Sequence, residues 1–162
     1  MTKLACTAFA LTFIGICAAL PALAGDESIQ FAYSSLKEGD CRAVSGEEGS
    51  SIESCPGFGG YDIQVSSGDS SSNLSVFRGK KEVLAGPSVH NTTVRRQIVE
   101  WRYRGATPVV TALIFRMDEQ GGPKVKSTLY VARFIGRPCI VGKTGSNAAA
   151  RAMADDPSRP CR

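Results

Sequence analysis

Residues 1–24 set the chemical conditions in which the rest of the chain folds. Lys3 gives a short positive start, and residues 4–20 form a nearly unbroken apolar run. Ala22-Leu23-Ala24 is a small-x-small cleavage site ahead of the polar Gly25-Asp26-Glu27. That three-part pattern is a secretory signal peptide. The apolar core, about 17 residues, is shorter than the roughly 20 of a spanning helix, and Pro21 interrupts it. The expectation is cleavage after Ala24, no transmembrane span afterwards, and an oxidising compartment for the cysteines that remain. The expected division is 1–24 as signal peptide and 25–162 as a single disulfide-stapled, β-rich domain.

Cys6 follows the start too closely, and Cys17 follows Ile16 rather than a small residue, so neither reads as a lipid-attachment site. Both leave with the leader. Cys41, Cys55, Cys139 and Cys161 remain, and four cysteines allow three pairings. The favoured one is sequential, Cys41 with Cys55 and Cys139 with Cys161, because it closes two local loops. No Cys-x-x-Cys spacing is present and His90 is the one histidine, which argues against structural zinc. No other metal or cofactor signature appears. The formal charge is +4, falling to about +3 without Lys3. That mild excess, on an exported chain, is not the footprint of a nucleic-acid binder.

Strand signals dominate the mature chain. Residues 28–33 alternate loosely, 34–37 read as a turn of helix, and 41–44 and 50–55 read as strands of a hairpin around a loop at 45–49. Residues 61–65 alternate cleanly, with Tyr61, Ile63 and Val65 on one face, and 73–78 follow after a Gly/Ser/Asp turn. The stretch 79–93 reads as a loop. The strongest pattern comes next. Residues 97–104 set Ile98, Glu100, Arg102 and Arg104 on one face against Val99, Trp101 and Tyr103 on the other. With 109–117, 126–134 and 139–142 they form a four-strand antiparallel meander with short connections. Ser146 is a helix N-cap for 147–155, and Pro157 stops that helix. Ala149, Ala150 and Met153 are expected on the sheet. The fold class is α+β: mainly antiparallel β-sheet, one short C-terminal helix and two disulfides.

Chemical motifs are weak. Ser34-Ser35-Leu36-Lys37, Ser71-Ser72-Asn73 and Lys143-Thr144-Gly145 match the serine β-lactamase set in order. Ser34 and Lys37 would need a long buried helix, and Glu38-Gly39-Asp40 ends any helix at once. Gly142-Lys143-Thr144 imitates the end of a phosphate loop, but Arg137 stands where the first glycine belongs. Asp155-Asp156 reads as a solvated helix terminus. Asn73-Leu74-Ser75 and Asn91-Thr92-Thr93 are sequons that matter only in a eukaryotic secretory path. Trp101, Arg102, Arg104, Arg116 and Arg133 fall on neighbouring strands of the meander and could form an aromatic-basic binding face. Glu100, Asp118 and Glu119 interleave with the arginines, which favours an ordinary solvated sheet face with the aromatics in the core.

The spread of Tyr33, Leu36, Cys41, Cys55-Pro56-Gly57, Gly60-Tyr61, Trp101-Arg102, Ile114, Arg116 and Leu129-Val131 covers most of the mature chain. With Cys139, Asn147, Ala150-Arg151, Ala154-Asp155 and Cys161 it resembles a family of small uncharacterised proteins exported by alphaproteobacteria. The chain departs from that pattern at 143–145, where similar proteins show an Asp-Ala pair. The resemblance implies a bacterial envelope location and two disulfides, and no activity. The expected function is a non-enzymatic binding or interaction module, periplasmic or secreted, with an acidic envelope component or protein as partner. The alternatives are a small cell-wall-directed hydrolase, with His90, Asp69, Glu100 and Asp118 as loose acid–base candidates, or an inhibitor of a host or envelope enzyme. No catalytic residue is assigned.

Overall fold

The computed structural model describes residues 28–37, 39–87, 91–94, 98–120 and 123–162. The expected leader, Cys6, Cys17 and His90 lie outside them. The described residues form two antiparallel sheets and one helix. Strands β1 (Ile29–Ser35), β7 (Thr92–Val94), β8 (Ile98–Arg104), β9 (Val109–Glu119), β10 (Lys126–Arg133) and β11 (Cys139–Thr144) make the larger sheet, in the order β1-β8-β9-β10-β11. Strand β7 pairs with β9 ahead of β8. Strands β2 (Arg42–Glu47), β3 (Ser50–Cys55), β4 (Asp62–Gly68), β5 (Ser71–Arg78) and β6 (Lys81–Ala85) form a second sheet in sequence order.

Alternation explains the second sheet. Ile63 and Val65 on β4, and Leu74 and Val76 on β5, are buried while their neighbours are not. A period of two puts these four on one face. Asp69 and Ser70 join the two strands with φ of 44° and 66°, the left-handed geometry of a two-residue hairpin turn whose twist matches its strands. That face packs against Val99, Trp101, Leu113, Phe115, Met117 and Tyr130 of the larger sheet in one shared core. Trp101 is fully buried at its centre, stacked on Tyr61 at 6.0 Å and edge-on to Phe134. Its indole N–H donates to Ser34 Oγ at 3.0 Å, so the one polar atom of the ring is satisfied.

The larger sheet is apolar on its other face as well. Ala112, Ile114, Leu129, Val131 and Val141 form a second cluster under helix α1 (Asn147–Asp155), through Ala150 and Ala154. The architecture is therefore sheet, sheet, helix. The disulfides Cys41–Cys55 and Cys139–Cys161 staple β2 to β3 and the C-terminal tail to β11. The meander, the helix and its Ser146 cap are as the pattern implies. Three readings are corrected. Residues 45–47 belong to β2 rather than to a loop. Strand β1 runs on through Ser35, so residues 34–35 are not a turn of helix. Within 79–93, Lys81–Ala85 and the first two residues of Thr92–Val94 are strand rather than loop.

Candidate functional site

Helix α1 lies across β9, β10 and β11 because small residues let it approach. Ala150 and Ala154 touch the sheet, and Gly142 on β11 leaves room for Met153, whose sulfur lies 2.8 Å from where a Cβ would stand. Ser146 Oγ accepts the Ala149 N–H at 3.4 Å and closes the first turn. Two ion pairs tie the helix sideways to β8. Arg102 donates to both oxygens of Asp155, at 2.9 and 2.6 Å. Arg151 donates to Glu100 through Nε, at 3.0 and 3.1 Å, and through Nη2 at 2.8 Å. Arg102 also reaches Glu100 at 3.2 Å.

The helix stops short of β1, and a cleft of about 360 Å³ opens between its first turns and strands β1, β8, β9 and β10. Ile98, Ile114 and Leu129 give it apolar walls. Tyr33, Glu100, Arg116, Asn147 and Arg151 supply the polar groups. Glu100 is saturated by two guanidiniums and by the Tyr33 hydroxyl at 3.5 Å. Arg116 donates to Ser127 Oγ at 3.1 Å and Asn147 Oδ1 at 3.3 Å. Ser127 in turn donates to Asp118 at 2.6 Å. Among the described residues, Arg116 forms no ion pair.

The pairing holds both helix-binding guanidiniums above the ordinary arginine range. For Arg102 the largest cause is its hydrogen bond to Asp155, opposed by burial. For Arg151 it is the hydrogen bond to Glu100, reinforced by that carboxylate's charge. Both therefore stay charged wherever the protein is folded.

The possible aromatic-basic face is not assembled: Trp101 lies in the core, as the favoured reading has it, while the arginine face is covered rather than solvated. Trp101 faces the shared core, opposite the arginines. Arg102, Arg116 and Arg133 do share the outer face, since Ala112 pairs with both Arg102 and Arg133, and Arg116 pairs with Leu129. The helix and tail lie over them, however. Arg102 is buried, and Arg133 donates to the carbonyls of Pro157 and Arg159 at 3.1 and 2.6 Å. Arg104 is half-buried, with no ion pair among the described residues. Asp155 is a partner of Arg102 rather than a solvated end. Of the acid–base candidates, Asp69 sits on the β4–β5 turn, Glu100 is neutralised, and Asp118 accepts from Ser127. Among the described residues no cluster of ligating side chains could hold a metal, and no helix is long and apolar enough to cross a membrane.

Residue type alone does not mark Tyr33, Asn147 and Arg151 as site residues. They meet only because β1 pairs with β8 and the helix folds back. No protein-family model, curated protein or solved structure matches the chain.

Proposed function

We propose that this protein is an exported, non-enzymatic binding module that takes an acidic group of its partner into the cleft, at Arg116. The observation that carries the reading is a guanidinium with no ion pair among the described residues, held by neutral partners between Ile98, Ile114 and Leu129. A carboxylate beside an apolar side chain complements those surroundings, since charge-assisted bonds to arginine are strong and planar. The arginines that face carboxylates, Arg102 and Arg151, are already neutralised. Glu100 carries no free lone-pair chemistry for a hydrolase, because two cations occupy it.

Export and membership of the alphaproteobacterial family that the chain resembles belong to the same proposal. The signal-like residues 1–24 and the two disulfides support export. Several residues that carry the likeness line this one cleft: Tyr33, Ile114, Arg116, Leu129, Asn147 and Arg151.

A capped Leu-Glu-Leu peptide and its Leu-Gln-Leu counterpart test the site by nitrogen-15 NMR. The acidic peptide is expected to move the Arg116 Nε–H and Asn147 side-chain signals, and Arg116→Gln to abolish the response. Equal shifts with both peptides overturn the reading. Intact mass of the secreted form tests export, and a retained leader overturns it.

A further inference from the structure

We infer that two copies of this chain associate through the free edge of β1, joining their larger sheets into one. The inference is independent of the cleft's ligand.

A sheet edge offers a row of unpaired backbone groups to any other strand, and folded proteins protect such edges with charge, irregularity or cover. Apart from the three-residue β7, four strands lie at a sheet edge among the described residues, and three of these are protected. On β11 the tail lies over the edge: Arg162 N–H donates to the Ile140 carbonyl at 2.9 Å, and Cys139–Cys161 holds it there. Strand β2 carries Arg42 and Glu47, with a register shift between Ala43 and Ser45. Strand β6 carries Lys81 and Glu82, and its pairing shifts between Val76 and Phe77.

Strand β1 has none of these. Its sequence, Ile29-Gln30-Phe31-Ala32-Tyr33-Ser34-Ser35, contains no charge, proline or glycine. It pairs with β8 through seven successive residues without a shift. Among the described residues no strand pairs with its other side. Phe31 and Tyr33 stand on that edge 57% and 48% exposed, their rings 5.5 Å apart. Large apolar side chains on an unprotected edge are the signature of a strand that pairs with another.

The occupant that fits is a second copy. Antiparallel pairing about a two-fold axis at Ala32, the midpoint of β1, uses the whole strand, and any other centre shortens it. In that register Phe31 lies opposite Tyr33 of the second copy, and Tyr33 opposite its Phe31, which is a favourable cross-strand aromatic pairing. No like charges meet. Such an axis is perpendicular to the sheet, so both helices and both clefts lie on the same side, flanking it.

Sedimentation of the full chain over a concentration series, with hydrogen exchange of the β1 amides, tests the inference. The wild type is expected to dimerise reversibly, and β1 amides left free in the monomer are expected to slow as the dimer forms. Phe31→Lys, at an exposed side chain, sets a cation near the axis in each copy and is expected to weaken dimerisation at least about tenfold. Val44→Lys, on β2, is the control and leaves it unchanged. A wild type that stays monomeric overturns the inference. So does a dimer whose β1 exchange is independent of concentration, or one that Val44→Lys disrupts and Phe31→Lys does not. The exchange measurement on the wild type stands without the variants. Arg116→Gln is expected to leave the dimer intact, which separates this result from the fate of the cleft.

Discussion

Arg102 on β8 holds Asp155 in the last turn of α1 through two hydrogen bonds, 2.9 and 2.6 Å long. An aspartate there is unfavourable by itself, because the carbonyl end of a helix carries partial negative charge. No basic residue lies in that last turn. Arg102 supplies the missing cation from the sheet, so one buried side chain offsets the carboxylate and the helix end together. It also reaches Glu100, which Arg151 grips from the helix. Two acids and two bases thus lock the angle at which α1 crosses the sheet, and with it the width of the cleft.

Removing Arg102 leaves Asp155 facing the sheet uncompensated. Side-chain exposures of 10% for Arg102 and 28% for Asp155 place the pair mostly out of water. Arg102→Ala is expected to cost about 3 kcal/mol. Arg151→Ala, at a side chain 48% exposed, is expected to cost about 1 kcal/mol or less. The Arg102→Ala/Asp155→Ala double variant should lose less than the sum of its singles, because the two residues share one interaction. Urea midpoints of the wild type, the three single variants and the double variant check this, and additive losses contradict the coupling.

Much of the fold is legible in the residues, and the reason is local. The meander and the helix announce themselves through a period of two, then an N-cap followed by alanines, all within a short window. Strand β6 is hidden because an edge strand needs little burial: in Lys81-Glu82-Val83-Leu84-Ala85 only Leu84 is buried, so no alternation stands out. Packing of the two sheets across Trp101 is invisible for a different reason. Whether an alternating strand turns its apolar face to a helix or to another sheet depends on partners elsewhere in the chain. The cleft depends on pairs as far apart as Tyr33 and Arg151, which no spacing rule connects. The arginines could be assigned to one face from the pattern. That the helix would come down over them could not.

The single tryptophan makes the core directly observable. Trp101 is fully buried and bonded to Ser34, so its emission should be blue-shifted and resist acrylamide quenching. Trp101→Phe keeps the packing roughly but leaves Ser34 without its donor, and is expected to cost about 1–3 kcal/mol. Trp101→Ala empties the centre and should cost about 3–5 kcal/mol. Denaturation followed by circular dichroism ranks them. A red, easily quenched wild-type emission would contradict the sandwich.

The Cys139–Cys161 bridge spans a sequence separation of 22 residues that includes the whole helix. Replacing both cysteines by serine is expected to cost about 3 kcal/mol on the loop-entropy model. Position should matter beyond the loop length. The tail it anchors supplies the Pro157 and Arg159 carbonyls to Arg133. Hydrogen exchange should therefore quicken first in residues 156–162 and in the last turn of α1. Replacing Cys41 and Cys55 should have a similar overall cost and leave those residues protected. Equal loosening of the tail in both variants would contradict this division.

Acid should loosen the tail from its start. Two hydrogen bonds from Ser158, one from the hydroxyl and one from the backbone, hold the Asp156 carboxyl below its ordinary value of 3.8. A carboxyl depressed in the folded state binds its proton more weakly there than in the unfolded chain. Its stabilisation is thus present above the unfolded value and lost as pH falls through the folded one. Carbon-13 titration of Asp156 should give a midpoint below 3.8, and Ser158→Ala should raise it. An unchanged midpoint in the variant would contradict the assignment of cause.

Two glycines should respond unequally to the same methyl group, because different neighbours wait for it. A Cβ on Gly57 would stand 1.9 Å from the Tyr61 carbonyl oxygen, and backbone cannot step aside without moving the turn that seats Tyr61 against Trp101. A Cβ on Gly142 would stand 2.8 Å from Met153 Sδ, the far part of an unbranched and adaptable side chain. Gly57→Ala is therefore expected to cost about 3 kcal/mol, toward the upper end of overpacking, and Gly142→Ala about 1 kcal/mol or less. The second change should lift α1 slightly from β11, and the Arg102–Asp155 and Arg151–Glu100 pairs then limit how far the helix can move. Combining Gly142→Ala with Arg102→Ala should consequently cost less than the sum of the two changes made separately, because a helix freed from Arg102 can step away from the added methyl. A double variant that loses the full sum or more would show that the ion pairs do not restrain the helix position.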